Sequence, residues 1–282
     1  MNSKRKALII LSSFGILAGG MGFTYSSLPD NKTNVHADTG TISENHKAEI
    51  QDKMVNSIDY FTSAKGSYHY YAEHSKADYT VDFDVNVKGS TPVSYTKIKK
   101  KDASEITMIY DGNEVLQADS KTKKFKKIPV LKDNNTSNKS SQASPAKQRY
   151  YKGSDGKVQG VKLRKDPANM GAATEILFNQ NIALGFLEDY SKWNIDSEEQ
   201  LNGFDAIVLS GELENNYKEK HKAETFKIWT HKDTGIMLKM EEYDKQGKVV
   251  YSIAAQNLEL NKPVDYNKIQ LTSPANFTEI KE

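Results

Sequence analysis

The chain has 282 residues, 39 Lys and Arg against 37 Asp and Glu, and no cysteine. The missing cysteine excludes a disulfide framework, a thiolate metal site and a thioether lipid anchor. Near-neutral charge, with almost all of the basic residues lysine, excludes the one-sided basic surplus that nucleic acid requires.

The chain opens on a basic n-region, Lys4, Arg5 and Lys6, followed by an apolar or small run from Ala7 to Tyr25. A polar stretch then ends in Val35-His36-Ala37, a small-x-small site of the kind signal peptidase cuts. Residues 1–37 are therefore expected to be an export signal, with retention as an uncleaved anchor over 7–25 as the alternative. Without them, 35 basic residues face 36 acidic ones, so the exported part is close to neutral. The protein is expected outside the cytoplasm, secreted or in the cell envelope, and the Lys-rich composition reads as bacterial. Residues 38–282 suit one domain.

Lys47–Ala64 reads as an amphipathic helix, with Ile50, Met54, Ile58 and Phe61 at helical spacing and Gly66 ending it. Strand-like segments follow. Ser67–Glu73 carries Tyr68 and Tyr70 at one parity. Tyr79, Val81, Phe83, Val85 and Val87 alternate with polar residues, the clearest strand signal in the chain. Thr91–Lys99 carries Val93 and Tyr95. Glu105–Tyr110, with Met108 and Tyr110, and Glu114–Ala118 flank the hairpin turn Asp111-Gly112-Asn113. A short strand near Lys124–Val130 comes next. Asp133–Lys147 has no apolar periodicity and is expected to be a mobile loop. Asp166–Trp193 reads helical, with Ile176, Leu177 and Phe186 among its apolar residues. Strands are expected at Phe204–Leu213, Glu224–Thr230, Ile236–Tyr243 and Val249–Glu259, and a last short one near Ile269.

Helix, meander, helical insert and second meander together predict an α+β fold. Its centre would be one curved antiparallel sheet, an unclosed half-barrel, with helices covering the concave face. Chemistry-bearing motifs are missing. The six histidines show no metal-ligand spacing, no phosphate-binding glycine loop occurs, and Ser210-Gly211 lacks a nucleophile elbow. Asp82 and Asp84 share a strand face and read as a solvated surface opposite the apolar stripe. No cofactor, metal or catalytic residue is expected. Hydrolysis is the remotest of the functions weighed.

Several segments resemble the lipoprotein-carrier superfamily that includes LolA, RseB and LppX. They are Trp193, Gly203-Phe204-Asp205-Ala206-Ile207-Val208-Leu209, Phe226-Lys227-Ile228-Trp229, Asp233-Thr234-Gly235-Ile236-Met237-Leu238 and Asp244-Lys245-Gln246-Gly247. The likeness covers most of residues 45–272 and lies in turn and strand text. It implies an exported, non-enzymatic carrier or sensor that binds a lipid or an acylated peptide. The apolar hollow would be lined by Tyr68, Tyr70, Tyr79, Val81, Phe83, Val85, Val93, Tyr95, Met108, Tyr110, Ile176, Leu177 and Phe186. RseB-like relatives imply an alternative: a regulatory module, linked to sigma-factor control, that binds a membrane-bound anti-sigma or other envelope protein. The lipoprotein carriers hold their lid helices with an arginine on an early strand. Residues 66–130 here contain none, and the exported part has only Arg149 and Arg164.

Overall fold

The computed structural model describes residues 44–130 and 143–281. The expected export signal, and residues 133–142 of the expected loop, lie outside the described residues. Among the described residues, no helix is long and apolar enough to cross a membrane.

Helix α1 spans Glu44–Val55 and buries Ile50, Gln51, Met54 and Val55. It ends before the expected Ala64, because Ser57–Asp59 forms a 3-10 turn and Ser63 and Ala64 already pair as sheet. Strand β1, Ser63–Ala72, therefore contains Gly66 instead of following it. The ladder bulges between Lys65 and Ser67, and a Cβ on Gly66 would stand 2.9 Å from the carbonyl oxygen of Asn257. Gly66 serves close backbone approach, as glycines inside strands commonly do.

The first meander continues through β2 (Ala77–Asn86), β3 (Val93–Lys100), β4 (Glu105–Tyr110), β5 (Glu114–Asp119) and β6 (Lys124–Pro129). The Asp111 carboxylate accepts from the backbone N–H of Asn113 and Glu114, which fixes the expected hairpin. A 3-10 turn at Ala146–Arg149 leads into the small hairpin β7 (Tyr150–Lys152) and β8 (Val158–Val161). The end of the expected mobile loop is anchored. Ala146 is buried, its N–H donates to Asp52, and Asn56 donates to the carbonyl of Ser144.

Asp166–Trp193 is not one helix. It holds a 3-10 turn at Gly171–Ala173, then α2 (Thr174–Leu177) and α3 (Gln180–Gly185). The Asp166 carboxylate takes the N–H groups of Ala168 and Met170 at 2.9 and 2.6 Å, which favours a turn over a helix start. Gly171 has φ +55 and lies against Met108 and Thr96, where a Cβ would be crowded.

Trp193 opens strand β9 (Trp193–Leu201), a segment the sequence did not mark as strand. Then come β10 (Phe204–Glu212), α4 (Asn215–His221), β11 (Thr225–His231), β12 (Met237–Tyr243), β13 (Val249–Leu260) and the two-residue β14 (Thr278–Glu279). One twelve-stranded sheet runs β14-β6-β5-β4-β3-β2-β1-β13-β12-β11-β10-β9. It is antiparallel apart from the β14–β6 pair, and its two ends do not meet. The fold is the α+β half-barrel expected from the sequence.

Each face of the sheet has a core. Val93, Ile109, Leu116, Ala118 and Phe125 form the outer one with Ile269 of the C-terminal segment. Ile269 is buried there without belonging to a strand. That segment also changes the expected solvated face. Asp84 is fully buried, its carboxylate accepting from the N–H of Asp265 and lying 3.6 Å from Lys268 Nζ. Asp82 stays half-exposed, paired with Lys99.

Candidate ligand-binding site

Residues opposite one another in an antiparallel ladder project to the same face. Tyr68 pairs with Val81, Tyr70 with Tyr79, Phe83 with Thr96 and Val85 with Ser94. Thr96 and Ser94 pair in turn with Met108 and Tyr110. Eight of the expected lining residues therefore share the concave face: Tyr68, Tyr70, Tyr79, Val81, Phe83, Val85, Met108 and Tyr110. Val93 and Tyr95 do not. Tyr95 pairs with Asp84 and Val93 with Asn86, so both point outward into the second core. At the start of β3, Ser94 and Thr96 face in while Val93 and Tyr95 face out.

The concave face has two ends. At one, Tyr68, Val81, Phe83 and Val85 pack into a single buried cluster with Ile176, Leu177 and Phe186 of the insert. The Tyr68 hydroxyl is satisfied there, donating to the carbonyl of Ala172 at 2.7 Å.

At the other end the insert stops short, and side chains stay partly accessible. Tyr70 and Tyr79 are half-buried and stacked, their ring centres 4.5 Å apart and their planes 6° from parallel. Tyr70 meets Tyr251 edge-on, with ring centres 5.2 Å apart. Tyr251 stacks on His221 at 5.6 Å, and His221 on His74 at 5.2 Å. Five rings from β2, β1, β13, α4 and the β1–β2 turn thus form one continuous wall. Glu242 lies opposite Tyr251 in the ladder, which puts its carboxylate on the concave face. It is fully buried, with both oxygens within 3.0 Å of His221 Nδ1.

Glu175 completes this end. It is solvent-exposed on α2. Protein nevertheless surrounds it closely enough for desolvation to raise its pKa. Its charge acts on Tyr68, Tyr70, Tyr79 and Tyr251. Burial is also the main cause that raises the pKa of those four phenols, so all stay protonated at neutral pH. Burial lowers the pKa of His74, and His221 and Lys220 add to the effect. Protonated phenols offer π faces and hydrogen bonds; the end is equipped to bind.

The insert is tied to α1 by polar contacts. Arg149 is buried and donates to Gln180 Oε1 at 2.7 Å, to Asn56 Oδ1 and to the carbonyl of Ser144. Burial, then Arg164, pushes its pKa down to about 10. Arg164 grips Asp59 with two nitrogens at 2.7 and 3.0 Å and also reaches Asn56. Gln51 donates to the carbonyls of Ala183 and Leu187 and accepts from the Tyr190 hydroxyl. The two arginines among the described residues thus fasten the insert. A separate groove of 780 Å³ beside α1 has a mixed charged lining that includes Glu44, Lys147, Lys152 and Glu188.

Sequence reasoning missed Glu175, His74, His221, Glu242 and Tyr251 as members of one site. Their only sequence signal is the parity of Glu242 and Tyr251 within their strands. Among the described residues, no group of three or more His, Asp or Glu could hold a metal ion.

No family model and no curated protein matches the chain. Solved structures do. MucB of Pseudomonas aeruginosa, in its complex with MucA, aligns at 14% identity over 83% of this chain and 64% of that one, with a TM-score of 0.45. LprF from Mycobacterium bovis aligns at 12% identity over 85% of this chain and 100% of its own, with a TM-score of 0.41. The lipoprotein LppX of Mycobacterium tuberculosis aligns at 10% identity over 79% of this chain and 99% of its own, with a TM-score of 0.37. This chain spans less than two thirds of the MucB chain. All three alignments are at or below 14% identity.

Proposed function

We propose that this chain is an exported, non-enzymatic carrier or sensor that takes a lipid or lipid-modified peptide into the open end of its half-barrel. The observation that carries the reading is the five-ring wall Tyr79–Tyr70–Tyr251–His221–His74, in which Tyr251 is buried and the other four rings stay at least partly accessible. Tyrosines give an apolar wall with polar tips, which suits a ligand with a chain and a head. Each buried methylene contributes roughly 0.8 kcal/mol, so an acyl chain supplies the affinity without covalent chemistry. Entry proceeds by movement of the insert, which is held by hydrogen bonds to α1 and by the Arg164–Asp59 ion pair. The test is titration of the exported chain with a fluorescent acyl probe, alongside mass spectrometry of lipid extracted from the purified protein. Saturable probe binding, displaced by an added fatty acid, is expected. No binding and no co-purified lipid would overturn the reading.

A second reading is a regulatory module that binds a membrane-bound envelope protein. It is supported by β9, which ends the sheet and leaves one side without a strand among the described residues. Such an edge can accept an extended segment as an added strand. Photo-crosslinking from Ser197 in intact cells tests it: a specific membrane-protein adduct is expected, and its absence would remove this reading.

A further inference from the structure

Among the described residues, half of the large apolar side chains left exposed lie in or directly after the β7–β8 hairpin: Tyr151 at 58%, Val161 at 37% and Leu163 at 42%. The hairpin stands apart from the twelve-stranded sheet as a ribbon of its own. Its two sides differ. Tyr150 pairs with Val161 and Tyr151 with Gly160, so the two tyrosines point to opposite sides. On the inner side, Tyr150, Lys152 and Val158 line the 780 Å³ groove, and the Tyr150 hydroxyl donates to the carbonyl of Leu184 at 3.0 Å. On the outer side, Tyr151 lies along Gly160, where a Cβ would stand 3.9 Å from its ring. Tyr151, Val161, Lys162 and Leu163 are exposed and outside the groove lining.

The charge here is one-sided. Residues 147–165 hold seven Lys and Arg against one acid, whereas the rest of the exported part holds 28 basic residues and 35 acidic ones. The one acid, Asp155, accepts from the N–H of Lys157 at the hairpin tip. Asp166, the next along the chain, turns to the N–H groups of Ala168 and Met170. Glu44, Glu188, Asp189 and Glu214 share the groove with Lys147, Lys152 and Lys157, so these acids belong to the inner side. Past the hairpin, Arg164 holds Asp59 at 2.7 and 3.0 Å and so brings the chain to the Asp59–Tyr60 turn. Tyr60 is 48% exposed there, and Lys88 Nζ donates to the Asp59 carbonyl at 2.6 Å.

We propose that the outer side of β7–β8, together with the Asp59–Tyr60 turn, docks the protein on an anionic lipid bilayer. Tyrosine rings sit well at the level of lipid headgroups, apolar body inward and hydroxyl outward. Lysine stems lie along the apolar layer while their ammonium groups stay among anionic heads, which attract each of them. The composition favours a bilayer over a protein partner. Protein interfaces are enriched in Arg and depleted in Lys. Here the exposed cations, Lys157, Lys162 and Lys165 among them, are lysines, while Arg149 and Arg164 are engaged with Asn56, Gln180 and Asp59. A bilayer asks for net charge and not for a bidentate fork. The face is also firmly mounted, with the Lys162 N–H donating to the Arg149 carbonyl at 2.7 Å. Docking of this face is independent of what the ring wall binds.

The chain has no cysteine, so one introduced cysteine carries an environment-sensitive dye at a unique place. Full-length protein is labelled at Gln159→Cys on the hairpin or at Ser197→Cys on β9, both exposed positions, and mixed with vesicles of phosphatidylcholine with or without phosphatidylglycerol. Tethering by the export segment acts on both labels, so the difference between them reads the docked face. A blue shift at Gln159→Cys that requires phosphatidylglycerol, with little change at Ser197→Cys, is expected. Lys162→Gln should weaken docking about fivefold, and Lys162→Gln with Lys88→Gln roughly twentyfold. Tyr151→Ser with Leu163→Ser should remove most of the shift. Both side chains are exposed, so the melting curve should stay that of the parent protein. Equal shifts with and without phosphatidylglycerol, equal shifts at the two labels, or no shift would overturn the proposal. So would a hairpin that ignores vesicles and crosslinks to an envelope protein, which would give this face to a protein partner.

Discussion

Tyr68 and Tyr70 stand two residues apart on one strand and point to the same side of the sheet, yet the fold uses them differently. Tyr68 is sealed, its hydroxyl spent on the carbonyl of Ala172 and its ring among Val81, Ile176 and Leu177. Tyr70 keeps contact with solvent, its ring stacked on Tyr79 and edge-on to Tyr251. What separates them is the reach of the insert. Its helices, four and six residues long, cover one part of the concave face and end before the other. A half-barrel can therefore be a packed core and a binding site at once, and the boundary is set by a loop-like segment packed over the strands.

The sharpest way to break this contrast is at the sealed end. Phe83→Ala should cost about 3–5 kcal/mol, the usual loss for a fully packed aromatic, read by denaturant unfolding. A loss below about 1 kcal/mol would show that the sealed end is itself hollow. Next in size, Arg149→Ala should cost about 3 kcal/mol, because Gln180, Asn56 and the Ser144 carbonyl lose a charged donor. Hydrogen exchange in this variant should rise in the insert before it rises in the strands. Uniform loosening would mean that the insert is not a separate unit.

At the open end, Tyr79→Ala should cost only about 1 kcal/mol, since one stacked partner is lost and the ring already keeps some contact with solvent. It should weaken probe binding more than it weakens the fold. The smallest effect concerns pH. Desolvation raises the Glu175 pKa, so the folded state holds that proton more tightly than the unfolded chain. Stability from this group is present at low pH and lost as pH rises through the raised value. Glu175→Gln removes the loss, so its melting temperature relative to wild type should climb as pH rises above the ordinary glutamate range. Asp166, raised to about 6 by burial, has the same sign but is common to both proteins, as are His74, His221 and Glu242. A difference that is flat with pH would mean that Glu175 is fully hydrated.

The strand β2 was legible in the sequence because its apolar residues alternate without a break and one of its faces is a core. Period two gives a face, but not which face of the sheet. The neighbour's register decides that, and it sends Val93 and Tyr95 outward while Ser94 and Thr96 turn in. The helical reading of 166–193 failed where local chemistry outweighed composition. Asp166 captures the first N–H groups, and Trp193 begins an edge strand. Asp84 looked solvated because the segment that covers it lies far along the chain. Glu175, His221 and Glu242 meet only after β12 and β13 are in place, so no local pattern announces them.

The two meanders are joined by a single seam, where β1 lies against β13 and Tyr70 faces Ile253. Every residue of that seam waits for a partner from the far end of the sequence. Contacts of such long range close late and slow the search for the native state. Until Val249–Leu260 arrives, β1 offers an open edge carrying several tyrosines, and the ring wall that Tyr251 completes has a gap. The ring wall thus closes only when the two ends of the sequence meet, and a chain halted partway has the strands of a barrel without its mouth.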